Sequence, residues 1–143
     1  MWLNAKTGKG AAALNLRARL MHAMLRVADM DRTLAFYCGA LGMSVQMSRT
    51  DANGYRNVFV GYGPAASTTL LEFGCTPGVA SYEKGTAFDH VAFEVGDLAA
   101  ACAGLRAKGV KIIRDIKTAQ SGALIAIIED PDGYRIELVQ LKA

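Results

Sequence analysis

The chain has two histidines, His22 and His90, and each opens an apolar, strand-like run in one of two halves that repeat each other. The runs are His22-Ala23-Met24-Leu25-Arg26-Val27 and His90-Val91-Ala92-Phe93-Glu94-Val95, and an aspartate stands seven residues past each histidine, at Asp29 and Asp97. A helix-like stretch follows in each half, stopped by Gly42 in one and Gly109 in the other. Each half closes on a strand with a single glutamate among apolar residues, Leu71-Glu72-Phe73 and Ile136-Glu137-Leu138. A matched order of His, Asp, Gly and Glu restricts the chain to two copies of one supersecondary unit.

Local signals identify that unit. Asp29-Met30-Asp31-Arg32-Thr33 offers an acidic N-cap region leading into a helix through Leu34, Phe36, Tyr37 and Leu41, and Asp97 precedes an Ala-rich helix through Leu98, Cys102 and Leu105. Strands are expected over 43–47, 57–62 and 68–73 in the first half, with the Asn53-Gly54 turn between the first two. In the second half they are expected over 110–113, 124–128 and 134–141, with the Asp130-Pro131-Asp132-Gly133 turn before the last. Both halves read β-α-β-β-β, so the fold class is α+β with two tandem βαβββ modules. The expected division is a flexible extension over 1–19, a first module over 20–74, a linker over 75–87 carrying Pro77, Gly78 and Gly85, and a second module over 88–143.

At 143 residues with 52% hydrophobic content, the chain suits one compact unit or two small modules sharing a core. Its net charge of +3 comes from scattered basic residues without interleaved aromatics, which argues against a nucleic-acid surface. The apolar run Ala11-Ala12-Ala13-Leu14 is too short for a membrane span or a signal-peptide core. Cys38, Cys75 and Cys102 are odd in number and form no C-x-x-C pair, so free thiols in a reducing, cytoplasmic setting are expected.

Alternation along a strand places His22, Met24 and Arg26 on one face, His90, Ala92 and Glu94 on another, and Arg135, Glu137 and Val139 on a third. An ionised glutamate among Leu, Ile and Val costs several kcal/mol unless a partner stabilises it. A divalent cation would stabilise both carboxylates and take both imidazoles in their neutral form. His22, Glu72, His90 and Glu137 are thus the expected metal ligands, a mixed N/O set suited to nickel, cobalt, zinc or iron. Two further positions for water or substrate would complete an octahedron.

From residue 20 to 142 the chain resembles the glyoxalase I (lactoylglutathione lyase) family of the vicinal oxygen chelate superfamily. The resemblance lies in the His22 run, Asp31-Arg32, Phe36-Tyr37, Leu41-Gly42-Met43, Phe59-Val60-Gly61-Tyr62-Gly63 and Leu71-Glu72. It continues in Gly85-Thr86-Ala87-Phe88-Asp89-His90 and in the string from Glu129 to Glu137. It implies the same four ligands and a homodimer whose sites each take the first module of one subunit and the second module of the other. It implies isomerisation of the hemithioacetal of methylglyoxal and glutathione to S-lactoylglutathione through an enediolate, with Glu137 as the first choice of proton carrier and Glu72 as the symmetric one. The short form of the chain implies nickel or cobalt in preference to zinc.

For the thiol carrier the resemblance implies Arg26 at a carboxylate and Thr76 where many members have an asparagine. Ala119 stands where many have a lysine, with Lys117 two residues earlier, and Glu94 adds a carboxylate to the His90 face. Other readings on the same fold are an acyl-CoA epimerase, a dioxygenase, a thiol transferase or a metal-free drug-binding module. Glu72 argues against the first three and the complete ligand set against the last. A chain whose own two modules face each other would satisfy the same spacing.

Overall fold

The computed structural model describes residues 16–142. The expectation of a flexible extension over 1–19 therefore falls, up to residue 15, outside the described residues. At its far end, the Arg19 guanidinium donates to the carbonyls of Thr68 and Ala65, and Thr69 donates to the carbonyl of Leu20.

The first module runs β1 (His22–Arg26), α1 (Met30–Leu34), a wide helical turn (Ala35–Ala40), β2 (Ser44–Thr50), β3 (Arg56–Gly61) and β4 (Leu70–Cys75). The second runs β5 (Val91–Glu94), α2 (Leu98–Ala107), β6 (Lys111–Thr118), β7 (Leu124–Glu129) and β8 (Arg135–Gln140). Each module is a four-stranded mixed sheet, ordered β1-β4-β3-β2 and β5-β8-β7-β6. The pairs β1–β4 and β5–β8 are parallel and the rest antiparallel, because the crossover helix returns the chain to the far side of its own sheet. The bulges lie on the pairings of the outer strands β2 and β6, where irregularity discourages a further strand from adding on.

The duplication is visible in the caps. Asp29 accepts from the amide of Arg32 at 3.0 Å, and Asp97 accepts from Ala100 at 2.9 Å. Gly42 and Gly109 both adopt φ of 75°, the left-handed conformation that ends a helix and that a side chain disfavours. One difference from expectation lies in the first helix, which widens after Leu34 instead of continuing as an α-helix to Gly42. The Leu41 amide bonds to Phe36 and the Met43 amide to Tyr37. The wider turn lets the adjacent residues Phe36 and Tyr37 both enter the core.

Alternation then separates core from site. Leu71 and Phe73 of β4, Val58 and Val60 of β3, and Ile136 and Leu138 of β8 belong to one continuous apolar core with Val27, Leu98 and Cys102. Full burial of side chains of this size is worth roughly 1.5–3 kcal/mol each. Glu72 and Glu137 lie between those core residues in sequence and so point to the opposite sheet faces.

Candidate metal centre

Pairing register brings each histidine to its own module's glutamate. In β1–β4, His22 stands opposite Leu70 and Met24 opposite Glu72; in β5–β8, Ala92 stands opposite Glu137. Nε2 of His22 lies 3.1 Å from Oε2 of Glu72, and Nε2 of His90 lies 3.3 Å from Oε2 of Glu137. The imidazoles are 40% and 33% exposed and the carboxylates 15% and 20%, so each pair is open on one side and sheltered behind. The same ring nitrogen faces the carboxylate in both copies.

These are two half-sites. Among the described residues no group of three or more His, Cys, Asp or Glu side chains converges on one point. The expected four residues come together two by two and not as a quartet, so the two modules of one chain do not face each other across a complete ligand set.

Neighbouring side chains orient the pairs. The ring of Phe59 meets that of His22 edge to face, with centroids 5.3 Å apart. Asn57, 1% exposed, donates from Nδ2 to Oε1 of Glu72 at 2.6 Å and accepts from Nε of Arg49 at 3.2 Å. In the second copy Nδ1 of His90 lies against the carboxylate of Asp89, which Arg135 also approaches at 3.6 Å. That contact with the ring holds the Asp89 carboxyl below the usual carboxylate range. A carboxylate on one ring nitrogen orients a histidine to present the other to a metal. Two imidazole nitrogens and two carboxylates, backed in this way, fit a borderline divalent ion.

Arg26 is exposed on the face of β1 that carries His22, and its guanidinium bonds to none of the described residues. It borders a cleft with Met24, Tyr82, Lys84, Phe88 and Tyr134. Glu94, at the matching place four residues past His90, is likewise exposed and forms no ion pair with the described residues. Thr76 is half-buried just past β4, and its hydroxyl meets no partner among the described residues. Sequence reasoning missed Asn57, Asp89 and Phe59. The available signals were a polar residue opening the apolar run Val58-Phe59-Val60 and an acid directly before His90.

Residues 19–138 match the family model described as the Glyoxalase/Bleomycin resistance protein/Dioxygenase superfamily. The chain is 42% identical over 128 residues to a lactoylglutathione lyase of Salmonella typhimurium, covering 87% of this chain and 93% of that protein. Among solved structures, the trypanothione-dependent glyoxalase I of Leishmania major superposes with a TM-score of 0.77 at 40% identity, covering 86% of each chain. Glyoxalase I of Zea mays superposes with a TM-score of 0.82 at 35% identity, covering 87% of this chain and 45% of that one.

Proposed function

The chain belongs to the Glyoxalase/Bleomycin resistance protein/Dioxygenase superfamily, and from that premise we propose how its own residues carry out a glyoxalase I reaction. It is a metal-dependent lyase that isomerises the hemithioacetal of methylglyoxal and glutathione to S-lactoylglutathione. The observation that carries the residue assignment is the pair of matched His–Glu contacts, at 3.1 and 3.3 Å, one in each copy of the repeat.

His22, Glu72, His90 and Glu137 would hold the metal, with nickel or cobalt preferred over zinc by resemblance to short bacterial members. Once bound, the ion supplies Lewis-acid stabilisation of negative charge on the substrate's two adjacent oxygens. The chain's own part is proton transfer. One glutamate removes the proton from the carbon bearing sulfur and returns it to the neighbouring carbon, while the hydroxyl proton passes to the former ketone oxygen, converting a hemithioacetal and ketone into a thioester and alcohol. Glu137 is assigned that role and Glu72 is its symmetric counterpart. Arg26 binds a glutathione carboxylate as a charge-assisted partner, with Thr76 lending a hydroxyl.

Because each module supplies only half a ligand set, the working site is proposed to form in a homodimer, from residues 20–74 of one subunit and 88–143 of the other, with 75–87 as the connection. The setting is proposed to be cytoplasmic; no helix among the described residues is long and apolar enough to cross a membrane. The test is an ultraviolet assay of S-lactoylglutathione formation by metal-free protein given nickel, cobalt or zinc. Activity restored by nickel or cobalt is expected. Stoichiometric metal binding with no turnover on the glutathione adduct would overturn the reading.

A further inference from the structure

The two half-sites differ in how their carboxylates are held. Phe59 of β3 stands opposite Glu72, and Ile127 of β7 stands opposite Glu137. Two residues earlier on these matched strands, on the same faces, the first copy has Asn57 and the second has Ile125. The Asn57 amide gives its nitrogen to Oε1 of Glu72 and its oxygen to Nε of Arg49. Turned over, it would set oxygen against carboxylate and NH2 against guanidinium, losing both bonds, so this neighbourhood permits one orientation. Glu72 is therefore engaged at both oxygens, Oε1 by Asn57 and Oε2 by His22. Glu137 has its contact with His90, and among the described residues no other group hydrogen-bonds its carboxylate. Ile125 and Ile127 carry no side-chain donor.

Resting on the glyoxalase reading above, we propose that Asn57 is a positioning residue that holds Glu72 as the stationary ligand and so leaves proton transfer to Glu137. A carboxylate that moves a proton between carbons must swing toward the substrate. For Glu72 that swing breaks a hydrogen bond to a buried amide and leaves its NH2 unsatisfied, a penalty worth about tenfold or more in rate. For Glu137 nothing comparable is broken. The repeat thus has two carboxylates of the same type, made unequal by one strand neighbour.

The experiment has two arms. In the first, nickel affinity is measured by chelator competition for wild type and Asn57→Leu, whose side chain is close in size to asparagine and apolar like Ile125. Affinity about tenfold or more weaker is expected, as for loss of a group that orients a ligand. In the second, turnover is measured at saturating nickel for Glu137→Gln and for Asn57→Leu/Glu137→Gln. The single variant is expected to be nearly inactive, and the double variant to regain at least about tenfold over it because Glu72 is released. Equal nickel affinity in wild type and Asn57→Leu, or equal turnover in the single and double variants, overturns the proposal. If Asn57→Leu fails to fold, Asn57→Ala replaces it, removing the same donor to Glu72 without adding bulk. Unchanged nickel affinity in that variant overturns the proposal equally. A wild type that binds nickel but forms no S-lactoylglutathione sinks the glyoxalase reading instead, and the nickel arm still decides on Asn57.

Discussion

The phenol of Tyr37 donates to Oδ2 of Asp130 at 3.0 Å, joining residues 93 apart and tying the helical turn of the first module to the last turn of the second. Tyr37 is 1% exposed and Asp130 5%. The other oxygen of Asp130 accepts from the amides of Asp132 and Tyr134, so the same carboxylate shapes the turn that launches β8 and Glu137. Two more bonds cross nearby, from the Ala28 amide to Asp132 and from the Tyr134 hydroxyl to the Arg26 carbonyl. The half-sites are thus held relative to one another by a polar seam at the end of β1.

Tyr37→Phe removes the one side-chain donor that the described residues give to the buried Asp130 carboxylate. A loss of about 1–3 kcal/mol is expected, the cost of leaving such an acceptor unpaired. Urea unfolding of the variant checks it; a midpoint equal to that of wild type would count against the seam.

Burial pushes the Asp130 carboxyl above the ordinary carboxylate range, against the opposing pull of the Tyr134 amide, the Tyr37 hydroxyl and the Asp132 amide. A carboxyl with a raised folded pKa favours the fold when protonated. Its contribution is complete below the unfolded value of about 3.9 and is lost as pH rises through the folded value. Asp130→Asn keeps a side-chain oxygen for the two amides without the charge. Its stability relative to wild type should improve as pH rises through that window, read from urea midpoints across a pH series. A difference that does not change with pH would sink the assignment.

Complementation tests the division of the site between subunits. His22→Ala/Glu72→Ala and His90→Ala/Glu137→Ala should each be inactive alone. Co-refolded in equal amounts, random pairing into dimers with one intact site per heterodimer restores about a quarter of wild-type turnover. No restoration would place both half-sites of a working centre in one chain.

Arg26→Met should raise KM for the hemithioacetal by roughly tenfold or more, the worth of a charge-assisted bond, with kcat changed far less. Steady-state kinetics decide this. An equal fall in kcat with unchanged KM would move Arg26 from substrate binding to the chemical step.

Much of the architecture is legible in the sequence. The repeat of His, Asp, Gly and Glu foretold two βαβββ units because each residue has a local job. The aspartates accept the first helical amides, the glycines take a left-handed φ, and the glutamates alternate with core residues on a strand. These are relations within a few residues, and chain order encodes them directly.

What chain order did not carry was the choice among contacts across strands. Asn57 meets Glu72 from another strand, 15 residues away, and Tyr37 meets Asp130 across 93. Nothing local distinguishes Asn57 from an ordinary strand residue, and the widening of the helix after Leu34 follows from packing Phe36 and Tyr37 together. Sequence alone thus determined the repeat and named both histidines and both glutamates. Tertiary structure decided that they pair two by two, and that, among the described residues, a buried amide hydrogen-bonds Glu72 and none hydrogen-bonds Glu137. The reason is physical: propensity and periodicity act over a turn or a strand, whereas the partner of a polar atom is set by register and by which groups burial deprives of water.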